Sequence, residues 1–78
     1  MSTFEKLIKK VFANSAISYS DAEKILLKLG FQLNIEGSHH VFRKNGYLKT
    51  ISLKKRKQLL PYQIRMLREV LIKHEYEI

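Results

Sequence analysis

The sequence predicts an α+β fold: a three-stranded antiparallel sheet with helices on one face, in the order α-α-β-β-β-α. Three observations lead there. Apolar residues recur at helical spacing up to Leu29 and again after Leu60. Past Gly30 the period drops to two, the signature of a strand with one face buried. Asn45-Gly46 then separates two further strand-like runs, and this dipeptide is the strongest short hairpin signal.

Taken in order, Ser2 and Glu5 have the spacing of a capping box, and Phe4, Leu7, Ile8, Val11 and Phe12 form the apolar stripe of a first helix. That helix fades at Ala13-Asn14-Ser15. A second starts near Ser18, a suitable N-cap, and buries Ala22, Ile25, Leu26 and Leu29. Gly30 can take the left-handed conformation that ends it. Phe31, Leu33 and Ile35 alternate with polar residues as a first strand, and Glu36-Gly37-Ser38 is a turn. His39 to Lys44 and Leu48 to Leu53 are the second and third strands. A last helix follows Lys54 to Lys57, with Pro61 in its first turn and Ile64, Leu67, Val70 and Leu71 as its stripe.

A two-residue hairpin loop sets Lys44 opposite Tyr47. Counting outward pairs Phe42 with Lys49, Val41 with Thr50, His40 with Ile51 and His39 with Ser52. His40, Phe42, Ile51 and Leu53 then share one face, the more apolar one, which packs under the helices. His39, Val41, Arg43, Leu48, Thr50 and Ser52 share the other, which is open. His40 is expected to point inward and His39 outward.

The chain has 78 residues, enough for one domain with a modest core, and a formal net charge of +8. From Gly37 to Arg68 there are nine basic residues and no acid, so the charge is a patch that fits a polyanionic partner. These are Arg43, Lys44, Lys49, Lys54, Lys55, Arg56, Lys57, Arg65 and Arg68, the candidate RNA-binding residues. Cysteine is absent, which removes disulfides, thiolate metal sites and cysteine nucleophiles. No apolar run has the length of a membrane span, and the N-terminus lacks the apolar core of a signal peptide, so a cytoplasmic location without membrane association is expected. His39, His40 and His74 make a poor metal set, because adjacent strand residues point to opposite faces. No metal and no cofactor are expected. The four tyrosines are scattered and form no stacking platform for single-stranded RNA.

A histidine on an open basic surface is suited to proton transfer near neutral pH. RNA carries its own nucleophile, the 2′-hydroxyl. A base that takes its proton lets it attack the adjacent phosphate, and Arg43 or nearby lysines can stabilise the charge that develops. An exposed histidine without any role fits the same residues.

Leu26-Leu27-Lys28-Leu29-Gly30-Phe31, followed by Gly37-Ser38-His39-His40-Val41-Phe42, resembles the HicA toxin family, in which a helix ending in a Leu-x-x-Leu-Gly-Phe-like run precedes a Gly-Ser-His strand. Pro61 to Lys73 resembles the last helix of longer members. The likeness runs from about Ile17 to Lys73, so residues 1–78 read as a single HicA-like domain with residues 1–15 as an extra N-terminal helix. The resemblance implies a double-stranded-RNA-binding-like fold and a toxin of a type II toxin–antitoxin system. It also implies metal-independent endoribonuclease activity on mRNA and inhibition by a HicB-type antitoxin. The family's catalytic histidine maps to His39. Many members carry a Pro-Arg-His-like segment after the third strand, where this chain has Ser52-Leu53-Lys54-Lys55. Two other roles fit the same residues: a non-catalytic RNA-binding module, and a structural part of a toxin–antitoxin complex on operator DNA.

Overall fold

The computed structural model describes residues 3–55 and 57–76. The predicted class and order are observed: α1 (Thr3–Phe12), α2 (Tyr19–Lys28), β1 (Gln32–Glu36), β2 (His39–Lys44), β3 (Tyr47–Lys54) and α3 (Pro61–Lys73). The strands form one antiparallel sheet in the order β1-β2-β3. Among the described residues no helix is long and apolar enough to cross a membrane.

Each helix forms for the reason its pattern gives. α1 buries Leu7, Ile8 and Val11; the capping box proposed for it involves Ser2, which lies outside the described residues. α2 is capped by Ser18, whose hydroxyl oxygen accepts the Asp21 N–H at 3.1 Å, and it buries Tyr19, Ala22, Ile25 and Leu26. At α3, Pro61 fills the first helical position, and the buried Gln63 side chain accepts the Leu60 N–H at 2.8 Å. The helical stripes meet Phe31, Phe42, Ile51 and Leu53 of the sheet side in one apolar cluster.

All three helices end in the same device. After α2, the N–H of Gly30 bonds the Leu27 carbonyl and that of Phe31 bonds Leu26, the paired bonds of a Schellman motif with Gly30 at φ +96°. The ends of α1 and α3 repeat this bonding with Asn14 (φ 57°) and Glu75 (φ 66°) in the glycine's place. Asn tolerates that conformation; Glu does so at a cost.

The hairpin departs from the simple register. Lys44 faces Tyr47 as expected, but Phe42 faces Ile51, Val41 faces Ser52, His40 faces Leu53 and His39 faces Lys54. The irregularity lies between Phe42 and Lys44, where Arg43 alone stands against Leu48, Lys49 and Thr50. The physical reason is the core. In the simple register the fully buried Phe42 would pair with a lysine; the slip gives it Ile51, and Lys49 instead reaches Glu69 of α3 at 2.8 Å. Because the slip is two residues, every side chain keeps its predicted face.

Two burial expectations change. Val41 lies on the open face yet is buried, and Ile35, on the helix side of the edge strand, is 64% exposed.

Glu75→Gly relieves a left-handed residue and removes an acid from the negative end of α3. It is expected to stabilise the fold by about 0.5–1 kcal/mol, a rise of a few degrees in Tm. An unchanged or lower Tm in calorimetry would show that the tail carries no such strain.

Candidate functional site

Both histidines of interest open β2, directly after the turn at Glu36–Ser38, and alternation sends them to opposite faces. His39 is exposed on the open face. Its cross-strand neighbours are Glu36 on β1 and Lys54 on β3. Its Nδ1 lies 3.5 Å from the Ser52 hydroxyl, at the limit of a hydrogen bond, so the ring is loosely held.

Arg43 shares that face but sits four residues further along, about 13 Å away in Cα terms. It forms a 3.4 Å ion pair with Glu36, both side chains more than half exposed. Such a pair contributes at most about 1 kcal/mol, so a phosphate can compete for the guanidinium. Through that pair the Arg43 guanidinium reaches the rung of His39, whose other cross-strand neighbour is Lys54, a residue that the sequence register assigned to no histidine.

His40 faces the helices and is half-buried, as its predicted inward orientation requires. Its Nδ1 is 2.5 Å from the hydroxyl of Tyr19, the first residue of α2, and the two rings meet edge to face with centroids 4.9 Å apart. Burial, and then the hydrogen bonding and charge of Glu23, hold the Tyr19 hydroxyl well above the usual phenol range, so it keeps its proton throughout the range in which histidine titrates. Sequence reasoning missed Tyr19: nothing local links residues 19 and 40.

The basic residues do not form one surface. Lys44 turns onto the helical layer, its ammonium donating to the Leu29 carbonyl at 2.7 Å. Lys49 is paired with Glu69, which raises the lysine's pKa and lowers the carboxylate's. Arg68 bonds the Asn14 side chain at the corner between α1 and α2, and its Nε is buried without a partner among the described residues. Arg65 is exposed on the same helix. Lys54, Lys55 and Lys57 are exposed, and Arg56 lies outside the described residues. This last segment has a fixed anchor: the Leu59 N–H bonds the Ile17 carbonyl at 2.7 Å, just before α2 begins. The bond draws the basic connection to the end of the molecule that also holds the β1–β2 turn, the two histidines and Tyr19.

A family model described as HicA toxin of bacterial toxin-antitoxin matches residues 19–74 of the 78. The chain belongs to the HicA toxin family. It is thus a toxin of a toxin–antitoxin system, and an antitoxin is its partner. No curated protein and no solved structure matches it significantly. The matched span opens at Tyr19 and contains both histidines and the basic connection of this HicA-family chain, while α1 precedes it. Among the described residues, no three His, Asp or Glu side chains converge as metal ligands.

The burial difference has a direct consequence for stability. His40→Ala, which removes one partner of the Tyr19 hydroxyl and the edge-to-face ring contact, is expected to cost roughly 1 kcal/mol or more. His39→Ala is expected to melt within about 0.5 kcal/mol of the parent. Equal losses in thermal melts would contradict the opposite placement of the two rings.

Proposed function

We propose that this HicA-family toxin is a metal-independent endoribonuclease that cleaves mRNA in the cytoplasm. The observation that carries the reading is the pairing of His39 with Lys54 on an exposed face, at the end where the basic connection is anchored. Neutral His39 takes the proton of a ribose 2′-hydroxyl. The 2′-oxygen attacks the adjacent phosphorus, and the bond to the 5′-oxygen breaks. The His39 imidazolium gives that proton up to the departing oxygen, directly or through water, leaving a 5′-hydroxyl fragment, a 2′,3′-cyclic phosphate and neutral His39. Lys54 sits where a cation offsets the charge gathering on the phosphoryl oxygens. Lys55, Arg56 and Lys57 extend the binding of the strand, with Arg43, whose guanidinium reaches Glu36 across from His39, and with Arg65 on α3. Lys44, Lys49 and Arg68, tied to partners within the chain, contribute less to RNA binding.

A second reading makes His40 the base. It is favoured by the Tyr19 bond, because a base is effective when its ring is held rather than free to turn. On this reading His39 binds phosphate beside Lys54.

The antitoxin is proposed to be of the HicB type and to set acidic side chains against the same basic end, blocking access to the histidines. A complex of the two on operator DNA fits the positive charge equally well. A purely RNA-binding module would need the lysines but neither histidine.

Cleavage is expected to survive EDTA, to leave a 2′,3′-cyclic phosphate, and to fail on RNA with a 2′-deoxy residue at the scissile position. Folded His39→Ala is expected to lose cleavage on the first reading, folded His40→Ala on the second. Unimpaired cleavage by both variants would rule out either base.

Charge reversal at Lys54, Lys55 and Lys57 is expected to flatten the dependence of RNA affinity on salt, since each lost phosphate contact removes roughly one released counterion. Reversal at Lys44 and Lys49 is expected to alter the slope less. The reverse ranking would move the RNA path to the far end of the hairpin.

A further inference from the structure

We propose that Tyr19 is a positioning residue for His40: its buried hydroxyl engages Nδ1, fixes the plane of the ring, and leaves Nε2 as the nitrogen that exchanges a proton with RNA. The proposal rests on the second reading above, in which His40 is the base.

The geometry is specific. Tyr19 is only 3% exposed, yet its hydroxyl meets Nδ1 at 2.5 Å across 21 residues of sequence. The rings pack edge to face at 78°, which restricts rotation of the imidazole about its own axis. Tyr19 is itself held. It follows the Ser18 cap, so its direction is set by the start of α2, and the Ile17 carbonyl before it is bonded to Leu59. A tyrosine needed only for packing could be a phenylalanine. A buried hydroxyl is kept where it has partners, and here they are the histidine and Glu23.

Which tautomer results depends on where the phenolic proton points. Glu23 lies one turn along α2, and its carboxylate attracts that proton. With the proton directed at Glu23, the phenolic oxygen accepts from Nδ1–H of His40, and the lone pair of the ring stands on Nε2. When Nε2 takes a proton, the ring keeps its Nδ1–H on Tyr19. The strand neighbours add no competing charge: Ile35 on β1 and Leu53 on β3 are the residues paired with His40. Tyr19 of α2 is the titratable group whose ring and hydroxyl meet the imidazole.

The test uses the full chain, an RNA oligonucleotide with a fluorophore and a quencher, and the variants Tyr19→Phe, Glu23→Gln and His40→Ala. Tyr19→Phe keeps the edge-to-face contact and removes only the hydroxyl. We expect its kcat to fall at least about tenfold, part of the roughly 10²–10⁴ that a general base supplies, while KM for RNA stays unchanged. Nitrogen chemical shifts of His40 are expected to move away from the Nδ1–H tautomer. Glu23→Gln is expected to shift the tautomer in the same sense by less, and it keeps the proposal testable if Tyr19→Phe folds poorly. Unchanged rate and tautomer in Tyr19→Phe, with His40→Ala inactive, would overturn the positioning role and leave His40 as the base. Parental cleavage by His40→Ala would remove the second reading and the role of Tyr19 with it.

Discussion

The burial of Phe42 against Ile51 is the constraint on which the rest of the structure depends. A two-residue Asn45-Gly46 loop, left to itself, would set a lysine against the most deeply buried residue of the sheet. A fully buried phenylalanine is a large apolar contribution, and an unpaired ammonium beside it a large cost. The chain resolves the conflict by bulging β3 at Leu48 to Thr50. Three consequences follow. Lys49 is released to Glu69, Leu48 is left fully in solvent, and the far end of β3 advances by two residues. That advance sets Lys54, rather than Ser52, across from His39.

The second fixed point is the bond from Leu59 to Ile17. It turns a run of lysines that could be a loose connection into one anchored beside α2. The basic segment that is continuous in sequence is therefore divided in space. Part of it neutralises the protein's own carbonyls, carboxylates and amides, as Lys44, Lys49 and Arg68 do. Of the exposed remainder, Lys54 faces His39 and Lys55 and Lys57 follow it into the anchored connection. An anion meets its strongest attraction where cations are near and not already paired, which is why this end of the molecule, rather than the whole basic surface, is the seat proposed for RNA.

Much of this was legible before any coordinates. Helix stripes, the Ser18 cap, the Gly30 stop and the hairpin are local features, each carried by residues a few positions apart. The two faces of β2 were legible too, because a slip of two residues preserves alternation. The slip itself was not, since it is decided by competition between turn geometry and burial under helices distant in sequence. The same holds for Asn14 and Glu75, which close helices without glycine, and for Val41, covered on a face that alternation marks as open. The family signature led to the histidine pair. The contact that distinguishes its two members, from Tyr19 to His40, joins the start of α2 to the start of β2 and leaves no trace in local pattern.

The proposed binding of RNA at the histidine end of the molecule is tested by a nuclear magnetic resonance titration of the labelled full chain with a 2′-O-methyl RNA, which has no 2′-hydroxyl to attack. Amide shifts are expected to concentrate at Tyr19, at Gly37 to His40, and at Lys54, Lys55 and Lys57. Shifts confined to Asn45-Gly46 and the C-terminal half of α3, with the histidines unmoved, would contradict it.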